Sequence, residues 1–320
     1  MRALVTGGAG FLGLHLVRRL LDRGADVVVL DNFCTSDRPP LEALMAEQPV
    51  TLIEGDVSYP PRLEGPFDLI AHLACPASPE HYMRLGLETL AVGSRGSEFV
   101  LDLAANTGAR VLLASTSEVY GDPAESPQAE TYWGHVNPIG PRSVYDEAKR
   151  YSEAFFTEHR RRYATNTAIV RIFNTYGPGL RPSDGRVVSN FIDQALGGRD
   201  LTVYGDGLQT RSLCYVDDLV AGLLAMIDSD HPGPVNLGNP NELTVSELAK
   251  LVLRLTGSHS GVVHLPAQQD DPAQRCPDIG LASRVLGWSP QVDLETGLAR
   301  TISWQQSQHA LLANALDEKG

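Results

Sequence analysis

Tyr145 and Lys149 stand four residues apart in the run YDEAK, and the polar run ASTSE, Ala114 to Glu118, lies about thirty residues upstream. On a helix that spacing puts the phenol and the ammonium one turn apart on the same face. A phenol is a feeble base at its ordinary pKa of about 10, and a nearby positive charge favours the phenolate. The pair therefore suits removal of a proton from a hydroxyl group. Thr116 can hydrogen-bond that hydroxyl and hold it near Tyr145. Glu118 exceeds what simple alcohol oxidation requires: a carboxylate there can move a proton or position a water at a neighbouring carbon. Taken without its context, the same residue reads equally well as an exposed loop acid.

Near the amino end, VTGGAGFLG sets Gly7, Gly10 and Gly13 at three-residue intervals between an expected strand and an expected helix. Glycine there permits a tight turn and close approach of a pyrophosphate, while the helix amino end favours negative charge. Asp31 follows Gly13 by 18 positions, at the end of the next expected strand. A carboxylate at that point accepts ribose hydroxyls and repels a 2'-phosphate, so NAD is expected in preference to NADP. Asp56, in GDV, fits either a hydrogen bond to the adenine amino group or a helix cap.

These groups can meet only if turn, strand end and helix reach one edge of the molecule. Ala3 to Thr6 reads as a buried strand, and Phe11 to Arg23 carries Leu12, Leu16, Leu20 and Leu21 at helical spacing before Gly24. Strands are expected at Val27 to Leu30, Thr51 to Ile53, Leu69 to Leu73, Arg110 to Ala114 and Thr167 to Ile172, with a helix from Val144 to about Tyr163. Their alternation with helices implies an α/β fold, a doubly wound parallel sheet covered on both faces. After about Phe173 the chain becomes turn-rich, with a helix near Val187 to Leu196 and a strand at Leu201 to Tyr204. Leu213 to Val216 and Asp217 to Ile227 read as a strand and helix returning to the main sheet. The expected division is 1–172 plus about 209–238 for a dinucleotide domain, and about 173–208 plus 239–320 for a smaller substrate domain. Beyond Gln306 the tail has little to pack on and is expected to fray.

At 320 residues, 42% hydrophobic and 20% charged, the chain can bury a large core. A formal charge of -13 argues against a general nucleic-acid or anionic-membrane binder. An anionic ligand must then meet local positive charge, and with only Lys149, Lys250 and Lys319 as lysines, arginine must supply it. The plainest reading of that arginine preference is a base-composition bias of the source genome. Cys34, Cys75, Cys214 and Cys276 are scattered, with no Cys-x-x-Cys pair and no histidine cluster, so reduced thiols and no metal are expected. The apolar start breaks at Gly7, too short for a signal peptide, and no run approaches a membrane span. A cytoplasmic protein is expected.

Several segments together resemble one family: HLACPASP, LLASTSEVYGDP, YWGHVNPIGPRSVYDEAKR, RIFNTYGP, DGRVVSNFI, LTVYGDGLQTRS and VNLGNP. Over nearly its whole length the chain looks like an extended short-chain dehydrogenase/reductase of the UDP-glucuronate decarboxylase (UDP-xylose synthase) family. The resemblance implies a Rossmann-type sheet with a smaller C-terminal α/β substrate-binding domain, a homodimer, and a role in nucleotide-sugar synthesis. It implies that Tyr145 is the base, Lys149 its activator and ribose partner, and that Thr116, Ser117 and Glu118 surround the sugar. It assigns Phe11, Leu12, Asn32, Val57, Leu73 and Ala74 to the cofactor, beside the glycines, Asp31 and Asp56. Pro76, Asn174, Arg186, Val187, Asn190 and Arg275 fall to the sugar nucleotide, Tyr204 to the strand beside the uracil, and Arg211 to the carboxylate or diphosphate.

The activity so implied oxidises the glucuronate C4 hydroxyl, releases C6 as carbon dioxide from the β-keto acid, and reduces C4 again. Dehydratases of related kind carry Asp-Glu after the threonine, where this chain has Ser117-Glu118, and 4-epimerases usually have no acid there. A nucleotide-binding regulator on a dead scaffold commonly loses the tyrosine or the lysine, and both stand here. Two departures from the resemblance are Ala148, usually glycine, and the surroundings of Arg275, where Ala273, Gln274 and Cys276 replace a more basic run. A small side chain at 148 should be tolerated. The second departure points to weaker diphosphate affinity or a more permissive nucleotide site.

Overall fold

The computed structural model describes residues 1–63, 65–267, 272 and 274–317. The first half alternates strand and helix: β1 (Arg2–Thr6), α1 (Phe11–Asp22), β2 (Asp26–Asp31), α2 (Arg38–Glu47), β3 (Val50–Glu54) and β4 (Leu69–His72). Then come α3 (Pro79–Arg84), α4 (Gly86–Ala91), α5 (Ser97–Thr107), β5 (Arg110–Thr116), α6 (Ser143–Tyr163) and β6 (Thr167–Ile172). The second half has β7 (Thr175–Tyr176), α7 (Val187–Leu196), β8 (Leu201–Tyr204), β9 (Thr210–Ser212), β10 (Cys214–Tyr215), α8 (Val216–Asp228) and β11 (Val235–Leu237). It closes with β12 (Glu242–Thr244), α9 (Val245–Thr256), β13 (Val262–Leu265), α10 (Gly280–Leu286) and α11 (Leu294–Asp317).

Among the described residues, seven strands form a sheet in the order β11-β6-β5-β4-β1-β2-β3, each neighbour pair parallel. Strand order reverses between β1 and β4, and in such doubly wound sheets the crevice beyond those carboxyl ends receives the ligand. Successive side chains point to opposite faces. Ala3, Val5, Val27 and Val29 accordingly join a core with α1 and α8, while Leu4, Val28 and Leu30 join one with Val100 of α5 and Phe156 of α6.

The returning strand differs from the expectation. Cys214–Tyr215 pairs with β7 outside the main sheet, and the three-residue strand β11 takes the place beside β6. β8 pairs with β13 in parallel and β9 with β12 antiparallel, as two separate two-stranded sheets. The tail forms the continuous helix α11 to Asp317, with His309 3.4 Å from Asp193 of α7; residues 318–320 lie outside the described residues.

One half-buried ion pair ties down the helix that carries Tyr145 and Lys149. Arg171 of β6 donates to both carboxylate oxygens of Glu153 on α6, at 2.9 and 2.7 Å, and Ser115 of β5 donates to the same carboxylate at 2.6 Å. Ala148 is buried against Gly93, where an added Cβ would stand 2.8 Å from the Ala148 methyl. The alanine is accommodated because position 93 supplies the room.

Candidate active site

The turn after β1 is built for close backbone approach. A Cβ at Gly7, whose φ is +72°, would meet the Ala74 backbone at 2.7 Å, and one at Gly13 would meet the Gly7 carbonyl oxygen at 2.1 Å. Gly10 caps α1 without any side-chain bond, which leaves the first N–H groups of a twelve-residue helix directed at whatever occupies the crevice. These features fit a dinucleotide pyrophosphate. Gly13→Ala is therefore expected to push the turn apart, costing about 1–3 kcal/mol of stability by overpacking. Calorimetric NAD titration and thermal unfolding check this: unchanged affinity and melting would contradict it.

Every candidate site residue of the sequence lines one of two adjoining cavities, which share Gly7, Gly10 and Leu73. The smaller is bordered by Asp31, Asn32, Asp56, Val57, Ala74 and Pro76. The buried Asp31 carboxylate accepts from the backbone N–H of Ala9 at 3.0 Å and of Phe33 at 2.9 Å. Asp56 accepts from the Ser58 N–H at 2.7 Å and from Asn32 at 3.0 Å, so it caps a turn while bordering the cavity.

The larger cavity, of about 320 Å³, gathers Phe11, Leu12 and Gly13 with Thr116, Ser117, Glu118, Tyr145 and Lys149. Asn174, Arg186, Val187, Asn190, Tyr204, Arg211 and Arg275 line its far side. Lys149 donates to the Ala114 carbonyl at 2.8 Å, and its ammonium lies 5.9 Å from the centre of the Tyr145 ring. Burial pushes the Tyr145 phenol above its ordinary value, Cys75 and Glu118 add to this, and the bond with Thr116 and the charge of Arg186 only partly oppose it. From spacing alone, Lys149 and the phenolate it favours stand out. Desolvation is the larger effect in the folded protein and favours the neutral phenol.

Glu118 sits on a short turn directly after β5, where its N–H donates to the Thr116 hydroxyl at 3.2 Å. It is neither exposed nor free. Arg142 donates one nitrogen to both its oxygens, at 3.0 and 2.8 Å, and Arg275 reaches Oε1 at 2.5 Å. Burial alone would raise this carboxyl, yet the charges of Arg275 and Arg142 outweigh burial and hold it well below the usual range. Asp146 beside it moves the other way, raised by its own burial and then by the Glu118 charge.

Sequence reasoning missed Arg142, Asp146 and Tyr82. Tyr82 of α3 stacks on Tyr145, with ring centres 5.0 Å apart and planes within 6°, and the Arg142 guanidinium lies 6.0 Å from its centre. Arg142 and Asp146 both lie within the family-like segment YWGHVNPIGPRSVYDEAKR, so a basic residue one turn ahead of the base was the available signal. Gln274 turns away from the cavity to Glu242, at 3.0 Å, and Ala273 lies outside the described residues.

The match to known proteins agrees with this architecture. Residues 3–238 match the model of the NAD dependent epimerase/dehydratase family. UDP-glucuronic acid decarboxylase 1 of Arabidopsis thaliana is 50% identical over 303 residues, 95% of this chain and 69% of that protein. This chain belongs to that family, among its UDP-glucuronic acid decarboxylases. NAD is the cofactor of the fold it shares. Among solved relatives of this decarboxylase family member, the UDP-glucose 4-epimerase of Thermotoga maritima with UDP-glucose is 28% identical, with a TM-score of 0.87 over 96% of this chain and 99% of that one. The dTDP-glucose 4,6-dehydratase of Streptomyces venezuelae with NAD is 30% identical, with a TM-score of 0.87 over 97% and 98%. The decarboxylase likeness is thus much closer in sequence than that to either of these two enzymes.

Proposed function

We propose that this protein decarboxylates UDP-glucuronate to UDP-xylose through a UDP-4-keto-pentose. The observation that carries the reading is the arginine-held Glu118 carboxylate, two residues from Thr116 in the cavity that Tyr145 and Lys149 line. NAD, when bound, supplies the hydride acceptor and donor at C4. Tyr145 takes the proton of the C4 hydroxyl, and Thr116 holds that oxygen. With C4 a ketone, the C5–C6 bond breaks, C6 leaves as carbon dioxide, and the electron pair moves to the C4 oxygen as an enolate. Thr116 and protonated Tyr145 stabilise that oxygen by hydrogen bonding. Glu118 orients the water that protonates C5, and Tyr145 returns its proton when C4 is reduced. No net oxidation remains.

In this reading, Arg186, Arg211 and Arg275, with Asn174 and Asn190, meet the diphosphate and carboxylate, since forked guanidinium groups suit such oxygens. Residues 1–172 with about 209–238 hold the cofactor, and about 173–208 with 239–320 hold the sugar nucleotide. Met83, Leu87, Leu90 and Tyr151, exposed on the packed helices α3, α4 and α6, support a homodimer. A sedimenting mass of one chain would remove that part. Four free thiols, one of them exposed on Cys34, fit a cytoplasmic protein. No helix among the described residues is long and apolar enough to cross a membrane.

Incubation with carboxyl-labelled UDP-glucuronate and NAD+ tests the whole. Labelled carbon dioxide and UDP-xylose, identified by NMR, are expected. Return of the uronate intact would sink the reading, and a C4-inverted uronate would reassign the protein to the epimerases.

A further inference from the structure

Arg142 belongs to neither the expected cofactor set nor the expected substrate set, yet it touches three parts of the proton-transfer machinery. Its side chain donates to both oxygens of Glu118, and Arg275 also lies 2.5 Å from Oε1. Its carbonyl accepts the N–H of Tyr145 at 3.1 Å and of Asp146 at 3.3 Å, so the same residue starts the helix that carries the base. Its guanidinium also lies over Tyr82, whose ring stacks on Tyr145.

The two arginines are not equivalent. Arg275 keeps Nε and Nη2 buried without an acceptor among the described residues, so it holds donors in reserve for an acidic ligand entering the cavity that it lines. A buried guanidinium with unmet donors is costly, and an anion that meets them is strongly favoured. Once such a ligand draws on Arg275, Glu118 depends on its other partner.

We propose that Arg142 is a positioning residue that holds the Glu118 carboxylate across from the reacting sugar and in fixed relation to Tyr145 throughout turnover. This rests on the decarboxylase reading for the identity of the sugar, and on geometry alone for the Arg142–Glu118 grip. Glu118 is faced by Arg142 ahead of α6, Arg275 ahead of α10, Tyr145 and Asp146 of α6, and Tyr82 of α3. Of these, Arg142 and Arg275 favour its charged form, and Asp146 opposes it. Removing the Arg142 charge therefore moves Glu118 toward protonation, and the acid limb of turnover moves to higher pH.

The test uses the purified holoenzyme with Arg142→Gln, Arg142→Lys, Glu118→Gln and the Arg142→Gln/Glu118→Gln double variant. Arg142→Gln is expected to lower kcat at neutral pH about tenfold or more with KM for UDP-glucuronate little changed, and to raise the acid limb by about one pH unit. Arg142→Lys keeps the charge but not the two-oxygen grip, so its limb stays near that of the wild type while kcat still falls. The double variant should be no slower than Glu118→Gln alone. Titration of a 13C-labelled glutamate carboxyl, assigned to Glu118 by its loss in Glu118→Gln, gives a readout independent of turnover and should move up in Arg142→Gln. An unmoved Glu118 titration, a fully additive double variant, or a raised KM with unchanged kcat would each overturn the proposal. Wild-type protein that releases no carbon dioxide would instead refute the decarboxylase reading, and the titration would still decide the role of Arg142.

Discussion

Tyr145→Phe is expected to cut carbon dioxide release by about 10²–10⁴-fold, the range that a positioned acid–base group commands, while KM for UDP-glucuronate changes little. The substitution is unusually clean here. The Tyr145 ring is 6% exposed and stacks in parallel on Tyr82, so phenylalanine keeps the volume, the stacking and the burial. What disappears is one oxygen, bonded to Thr116. Burial favours the neutral phenol, and the base is the phenolate, so the wild-type rate should climb as pH rises toward the ionisation of Tyr145. The phenylalanine variant should lose that dependence as well as the rate. Turnover within tenfold of wild type, measured with labelled uronate, would remove Tyr145 from the base role.

Much of this arrangement was legible because parallel strands with hydrophobic cores announce themselves locally, and their carboxyl ends converge. Gly7 to Gly13, Asp31 and Thr116 each sit at such an end, so naming the strand located the residue. The short strands carried less signal. Val235–Leu237 has three residues between Pro234 and Gly238, too few to show a period, and Leu213 to Val216 is apolar enough for either sheet. Pairing decides between them, and pairing is a long-range property.

The charge state of Glu118 was hidden for the same reason. Its two guanidinium partners come from positions 142 and 275, and the ring that stacks on Tyr145 comes from position 82. No local window contains them. A loop acid and an arginine-held carboxylate look identical in sequence, and only the second keeps its charge while packed into the cavity wall.

Glu118→Gln should separate the first oxidation from the later steps of turnover. The amide keeps the shape and can still accept from Arg142 and Arg275, so the turn after Thr116 should hold. The lost charge leaves two guanidinium groups without their counter-ion, however, and breaking such a buried pair costs about 3–5 kcal/mol before the amide recovers part of it. The wild-type carboxyl is depressed below its unfolded value of about 4.3. Its contribution to stability is thus present at neutral pH and lost as pH falls through the depressed value, and the variant should lack that acid-side loss. The freed arginines should also draw an anionic ligand more strongly, so UDP affinity should rise. Turnover should nevertheless fall about 10²-fold, because the water that protonates C5 is no longer oriented. Reduced cofactor and one enzyme equivalent of carbon dioxide should then build up in the first turnover, with UDP-xylose lagging behind. UDP-xylose formation at the wild-type rate would show that Glu118 serves only to neutralise the arginines, and the water at C5 would need another partner in the cavity.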